Sequence, residues 1–202
     1  LFRSGLATNG SKLSITTAKA VAGVMREAEA FVVPTSSKYK TINDLLADIK
    51  ANPKSVAIGG GNYGGVDHVT VATLAATVGV KATDLNYIPY SGGGSLVPDV
   101  IGGRVAVGIA GTSEFASYVA AGKMRAIAIT SPKSLKVIKG KTLVQQGVDM
   151  TFGNWRGILA PADLSAADLL NTQKIIDILH SSPSWKDTLI AKSWIDEFRV
   201  GD

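Results

Sequence analysis

Three glycine-rich segments hold most of the chemistry this chain could do. They are Gly59-Gly60-Gly61-Asn62-Tyr63-Gly64-Gly65, Ser91-Gly92-Gly93-Gly94-Ser95 and Gly111-Thr112-Ser113. Each follows a short apolar run and precedes a helical pattern. Such a junction leaves first-turn N–H groups without intrahelical partners, beside the positive end of the helix dipole. Where side chains are absent, an anion can approach that backbone closely. One such loop is most simply a tight βα turn. Three in succession favour a site for a carboxylate or phosphate. The residues expected to line it are Gly60, Gly61, Asn62, Gly64, Gly65, Tyr90, Ser91, Gly92, Gly111 and Thr112. His68 sits in the first turn after the first loop, next to Asp67, and is available to hydrogen-bond an acid.

Other chemistries fit less well. Gly59-x-Gly61-x-x-Gly64 matches the dinucleotide fingerprint, which expects an acidic residue about 20 positions later, at the end of the next strand. Here Asp84 lies at that strand's start and Pro89-Tyr90 at its end. The same segment lacks the Lys-Ser/Thr that closes a P-loop, and Ser113 is not in a Gly-x-Ser-x-Gly elbow. A nucleotide-dependent α/β enzyme using the 59–65 loop is therefore the second reading, and a non-catalytic binding module the first. His180 reads as a surface residue near a helix end. Trp155 reads as packing, and Arg156 as a solvated cation able to attract an anion.

The elements that position these residues alternate. Ala28–Pro34 reads as a strand stopped by proline. Thr41 with Asp44 signals a capping box, and Ile42, Leu45, Leu46 and Ile49 form the stripe of an amphipathic helix. Strands are expected at 55–58, 85–90, 105–110 and 124–129, with helices between them that close at Gly79, Gly102-Gly103 and Gly122. Strands alternating with helices predict an α/β fold with a parallel-rich sheet flanked by helices. Ligands of such sheets bind outside the carboxyl ends of the strands. The segment 151–161 reads as a long aromatic strand. Ser165 with Asp168, and Ser182 with Pro183, begin two helices, and Phe198–Asp202 reads as a final strand.

Composition narrows the class. The chain has 202 residues, 46% of them hydrophobic and 18% charged, which is enough apolar surface for a core and excludes a disordered protein. With no cysteine and two histidines, a disulfide scaffold, a thiolate zinc site and a cysteine nucleophile are excluded, and no metal or cofactor is expected. A dispersed net charge of +5 with 6% aromatics does not favour nucleic acid. No apolar run is long enough for a membrane span, and residues 1–20 carry no signal-peptide h-region.

Four stretches, in this order and spacing, carry a family resemblance: Ile58–His68, Asn86–Gly94, Gly122–Ala128 and Asn154–Pro161. Together they resemble the substrate-binding receptors of tripartite tricarboxylate transporters, the TctC or Bug-type proteins, over about Val32 to Asp202. The resemblance implies a periplasmic-binding-protein-like type II clamshell. Residues 1–33 would be a remnant of domain 1 with the first hinge strand. Residues 34–150 would be the ligand-binding domain 2, and 151–202 the second hinge strand with helices returning to domain 1. The crossings 28–34 and 151–160 would lie side by side.

It further implies an extracytoplasmic or periplasmic monomer, its leader not present in this chain. Such a receptor captures a tricarboxylate, dicarboxylate or aromatic carboxylate and delivers it to membrane permease subunits. The family's proline-glycine-glycine loop near the N-terminus and its long final helix have no counterpart here, so a fragment of a longer protein is expected. Where family members carry Pro-Thr-Leu/Phe-x-Glu-x-Gly, this chain has Lys141-Thr142-Leu143-Val144-Gln145-Gln146-Gly147, read as a structural turn.

Overall fold

The structure, a computed structural model, describes residues 17–201, so what was expected of residues 1–16 and Asp202 lies outside the described residues. The run Glu29–Pro34 is buried at all six positions, which requires cover on both sides. As β2 (Glu29–Pro34) it is an inner strand of a five-stranded sheet. The others are β3 (Ala57–Gly60), β4 (Asn86–Pro89), β5 (Val107–Gly111) and β6 (Met124–Ile129), in the order β4-β3-β5-β2-β6. β3 is parallel to β4 and to β5, whereas β2 is antiparallel to both β5 and β6.

The expected parallel strands are therefore present, but split by one reversed strand. The reason is connectivity. No helix leads into β2, so it is not the product of a parallel crossover and fills an antiparallel slot.

Alternation along the strands sends side chains into two cores. On one face Phe31, Val33, Ile58 and Ile109 pack against helices α1 (Ile42–Ala51) and α2 (Val66–Ala76). On the other, Ala30, Val32 and Ala110 meet α3 (Gly93–Ile101) and α4 (Thr112–Ala120). The expected stripe of α1 is its buried face: Ile42, Leu45, Leu46 and Ile49. Its capping box is also present. Thr41 Oγ1 accepts from Asp44 N at 3.2 Å, and Asp44 Oδ2 accepts from Thr41 N at 2.9 Å. The segment after β6 is the expected turn. Gln145 Oε1 accepts from Thr142 N at 2.9 Å and Gln145 N donates to Thr142 Oγ1 at 3.1 Å, so glutamine makes the same reciprocal pair a glutamate would.

A second unit comprises β1 (Ala18–Glu27), β7 (Asn154–Pro161) and β8 (Ile195–Val200), with β1 in the centre and antiparallel to both neighbours. Helix α5 (Ala166–Ser181) packs on it through Ile176 against Val21 and Ala22, and α6 (Pro183–Lys192) follows. Strand β1 carries no clear sequence signal, because alanine and glycine fill four of its ten positions and pack weakly on a pleated surface.

The first unit is Ala28–Gly153, wider than the expected 34–150, because β2 is hydrogen-bonded into its sheet. The segments 28–34 and 151–160 are largely strands, as expected, but β2 and β7 each lie within one unit instead of crossing between the two, since their backbone groups find ladder partners there. The chain passes between units at Glu27/Ala28 and Gly153/Asn154, and Glu27 pairs with Asn154 in the β1–β7 register. Ser165 accepts from Asp168 N at 3.1 Å but gives its own hydroxyl to Asp168 Oδ2, so this cap closes on itself. Among the described residues no helix is long and apolar enough to cross a membrane.

The α1 cap gives a direct test. Thr41→Ala should lower the stability of the Ala28–Gly153 unit by about 1 kcal/mol in urea unfolding, and Thr41→Ser should retain most of it.

Candidate functional site

Because β3, β4 and β5 run parallel, their carboxyl ends share one edge of the first unit's sheet, and α2, α3 and α4 begin just beyond it. The three glycine segments therefore lie along a common edge, as the sequence pattern requires. What occupies their backbone donors differs from expectation.

The chain's own acceptors, two of them carboxylates, hold several of these donors. Gly61 N donates to Asp67 Oδ2 at 2.7 Å, Gly64 N to His68 Nδ1 at 3.1 Å and Gly65 N to Asn62 O at 2.9 Å. In the second loop, Gly93 N donates to Glu114 Oε2 at 2.8 Å and Tyr90 N to Gly60 O at 2.7 Å. In the third, Thr112 N donates to Ala28 O at 2.9 Å, and Gly111 and Thr112 are buried. Gly111 and Thr112 are thus core residues of the β5–α4 junction, not lining residues.

The glycines of the first loop also serve the fold. A Cβ at Gly60 would collide with the Tyr87 hydroxyl and Ile109. One at Gly61 would stand 3.0 Å from Asp67 Oδ2, and one at Gly65 2.8 Å from Asn62 O. These residues are small to admit neighbours within the chain, which corrects the expectation of bare backbone awaiting an anion.

The open part of the edge is the second loop. Ser91, Gly92, Gly94 and Ser95 are exposed, and Gly94 and Ser95 contribute first-turn N–H groups of α3. Gly92 has φ +153°, a conformation for glycine, with open space around its Cα. Asn62 and Tyr63 of the first loop are exposed as well.

Tyr90 turns away from this group. Its hydroxyl donates to Asp99 Oδ2 at 2.6 Å, its ring lies against Gly59, and burial followed by the Asp99 bond pushes its pKa up to about 12. Tyr87, three positions earlier and so on the opposite face of the sheet, takes the place expected of Tyr90. It donates to Gly61 O at 2.7 Å and its ring centroid is 4.6 Å from that of His68. Tyr63 stands edge-on to His68 at 5.4 Å and donates to Tyr87 O at 2.8 Å. Neither tyrosine was expected here, though the parity of the strand distinguishes Tyr87 from Tyr90.

His68 is neutral in this arrangement. Nδ1 accepts from Gly64 N, which leaves the proton on Nε2 as a donor, and burial holds its pKa below the usual value. Behind the loop, Glu29 is fully buried and hydrogen-bonded through its side chain to Asp67. Two carboxyls in such contact resist ionising together. Burial is the main cause that raises Asp67 above the ordinary carboxyl range.

In the second unit, Arg156 is exposed to solvent, as expected, with Nη2 3.8 Å from the buried Glu27. Trp155 is 49% exposed, against the expectation of a packed ring. His180 is bonded to Asp196 at 2.9 Å and stacked on Phe198.

The model of the tripartite tricarboxylate transporter family receptor, TctC, matches residues 11–193. The chain belongs to the TctC receptor family. Among its relatives, a protein encoded in the gbd 5′ region of Cupriavidus necator is 29% identical over 162 residues, covering 78% of this TctC chain and 47% of the relative. BugT of Bordetella pertussis is 29% identical over 134 residues, covering 64% of this chain and 40% of BugT. The chain thus spans less than half the length of these two relatives.

Solved structures share the α/β periplasmic-binding-protein-like fold. An R. palustris protein solved with adipate superposes with a TM-score of 0.79 at 20% identity, over 91% of this chain and 62% of the other. MatC of Rhodopseudomonas palustris, solved with malate, gives 0.77 at 15% identity, over 89% and 60%.

The acid pair sets a pH dependence. A carboxyl raised in the folded state contributes stability that is full below the unfolded value, 3.8, and is lost as pH rises through the folded value. Asp67→Asn should remove that loss, so the melting temperature of the wild type relative to the variant should fall as pH rises above 3.8. A pH-independent difference between the two would contradict a raised Asp67 carboxyl.

Proposed function

We propose that this TctC-family chain is part of a receptor that captures a small carboxylate at the loop edge of the Ala28–Gly153 unit and delivers it to the permease of a tripartite tricarboxylate transporter. The observation that carries this reading is the exposed 91–95 loop. It offers first-turn donors of α3 around a glycine at φ +153°, with the Nε2–H of His68 in the first turn of the neighbouring α2. Family membership and the malate and adipate of fold neighbours support the ligand class. The extracytoplasmic location and the monomeric state are part of the same proposal, and so is the clamshell division of the chain.

Among the originally expected residues, Asn62, His68, Ser91 and Gly92 are the proposed ligand contacts. Gly60, Gly61, Gly64 and Gly65 shape the loop that holds them. The receptor performs no chemistry. Binding comes from pre-aimed N–H donors and bridging water. Each charge-assisted hydrogen bond contributes roughly 1.5–3 kcal/mol, so two or three, less the cost of closure, suit about micromolar affinity. Hinge bending belongs at the chain crossings Glu27/Ala28 and Gly153/Asn154, as in receptors that close around a ligand.

The nucleotide reading is less favoured because of Asp67. A pyrophosphate on the 59–64 fingerprint would meet that carboxyl where the motif needs bare backbone.

Thermal shift and calorimetry at the full length of the relatives should show stabilisation by malate, adipate or citrate and none by NAD or ATP. Stabilisation by nucleotides alone would overturn the receptor reading. Gly92→Ala forces an alanine into a glycine conformation without a steric clash, and should weaken carboxylate binding about tenfold. An unchanged affinity would remove the 91–95 loop from the site.

A further inference from the structure

A cavity lies away from the glycine loops. β6 runs parallel to β5, since both oppose β2, so Met124 and Arg125 begin at the amino edge of the sheet, the end opposite Gly60 and Gly111. There a cavity of about 460 Å³ opens between the start of α1, the end of α4 and the segment that follows β6. Four cationic side chains line it: Lys40, Arg125, Lys139 and Lys141, and no lining residue is acidic. Its apolar part is made by Val119, Met124, Ala126 and Ile127.

Among the described residues, none of these four side chains forms an ion pair. Arg125 donates through Nη1 to Thr35 O at 3.1 Å, and through Nη2 to Ser37 O at 3.0 Å and Tyr39 O at 2.9 Å. These are carbonyls, not carboxylates, and its buried Nε has no acceptor. Lys40 Nζ likewise donates to a carbonyl, Ser37 O at 2.9 Å. Of the nearby acids, Asp44 feels the Lys40 charge without pairing with its ammonium. Asp44 accepts the backbone N–H groups of Lys40 and Thr41, and Asp48 binds Lys38 and Tyr39.

Lys139 and Lys141 flank Gly140, where a Cβ would stand 3.2 Å from both Ala126 and Ile129. Lys141 O also accepts from Ile129 N at 3.0 Å, which holds the segment against the edge of β6. The lysine-bearing backbone is therefore fixed beside the apolar floor, and four cationic residues line one space. A cavity of this size suits a small molecule, and the charge selects an anion.

We propose that this cavity is a second ligand site, for a small organic anion with an apolar body. The negative group meets Arg125 and the lysines, and the body lies on Val119, Ala126 and Ile127. The site is independent of the 91–95 loop and does not rest on the transport reading.

The probe is 1-naphthoate, with 1-naphthylmethylammonium as a control of similar shape and opposite charge. Amide chemical shifts of the isotope-labelled protein, followed in a titration, report where each binds. Saturable binding of 1-naphthoate is expected, with shifts centred on Ala126, Gly140 and Lys141 and none there for the ammonium compound. Lys139→Glu combined with Lys141→Glu changes two exposed side chains and should raise the dissociation constant at least about tenfold. Raising the salt concentration should weaken binding in the wild type. Shifts confined to the 59–65 and 91–95 loops or to the second unit, equal binding of the ammonium compound, an unaffected double variant, or no saturable binding would each overturn the proposal.

Discussion

Glu29 is fully buried at the end of an inner strand, and a buried carboxyl must share a proton or find a partner. Much of the loop edge follows from how it does so. Its side chain meets Asp67, the second residue of α2, which brings that helix's first turn onto the end of β3. Asp67 in turn accepts from Gly61, and Tyr87 closes the other side by donating to the Gly61 carbonyl. Gly60 and Gly61 then have to be small, because the space beside them is filled by a carboxyl and a phenol. A loop that looks built for an external anion is largely organised around an internal one.

This arrangement preorganises what remains open. His68 is held as the neutral tautomer by Gly64 N and flanked by Tyr63 and Tyr87, so its Nε2 donor has a defined direction. At the second loop, Glu114 takes Gly93 N and leaves the following donors of the α3 first turn at the surface. Donors fixed before binding cost less conformational entropy when a ligand arrives. They also carry no net charge, which suits recognition of many carboxylates by backbone, with selection left to other side chains.

The two edges of the sheet differ in electrostatic kind. At the carboxyl edge, acids of the chain sit on helix N-termini and offset the dipoles. At the amino edge, Arg125 and three lysines surround an apolar floor without an acidic neighbour in the lining. The reversed strand β2 connects the two. Glu29 begins it at one edge, and Pro34, paired with Met124, ends it beside the basic cavity at the other.

Local patterns were legible in the sequence because they depend on neighbours along the chain. The capping box of Thr41 and Asp44, the stripe of α1, the alternation of strands with helices and the placing of three glycine loops at strand ends needed no tertiary information. The order and spacing of four motifs carried the TctC family. The pairing of distant residues was not legible. β1 was hidden by its alanines, and the reversal of β2 depends on which strands it meets. The fate of each loop donor depended on Glu29, Asp67 and Glu114, which lie far from one another in sequence. Residue type shows that a glycine leaves space. Only the packed structure decides whether a ligand or the chain's own carboxyl fills that space, because burial raises the cost of leaving any polar group unpaired and the nearest partner takes it first.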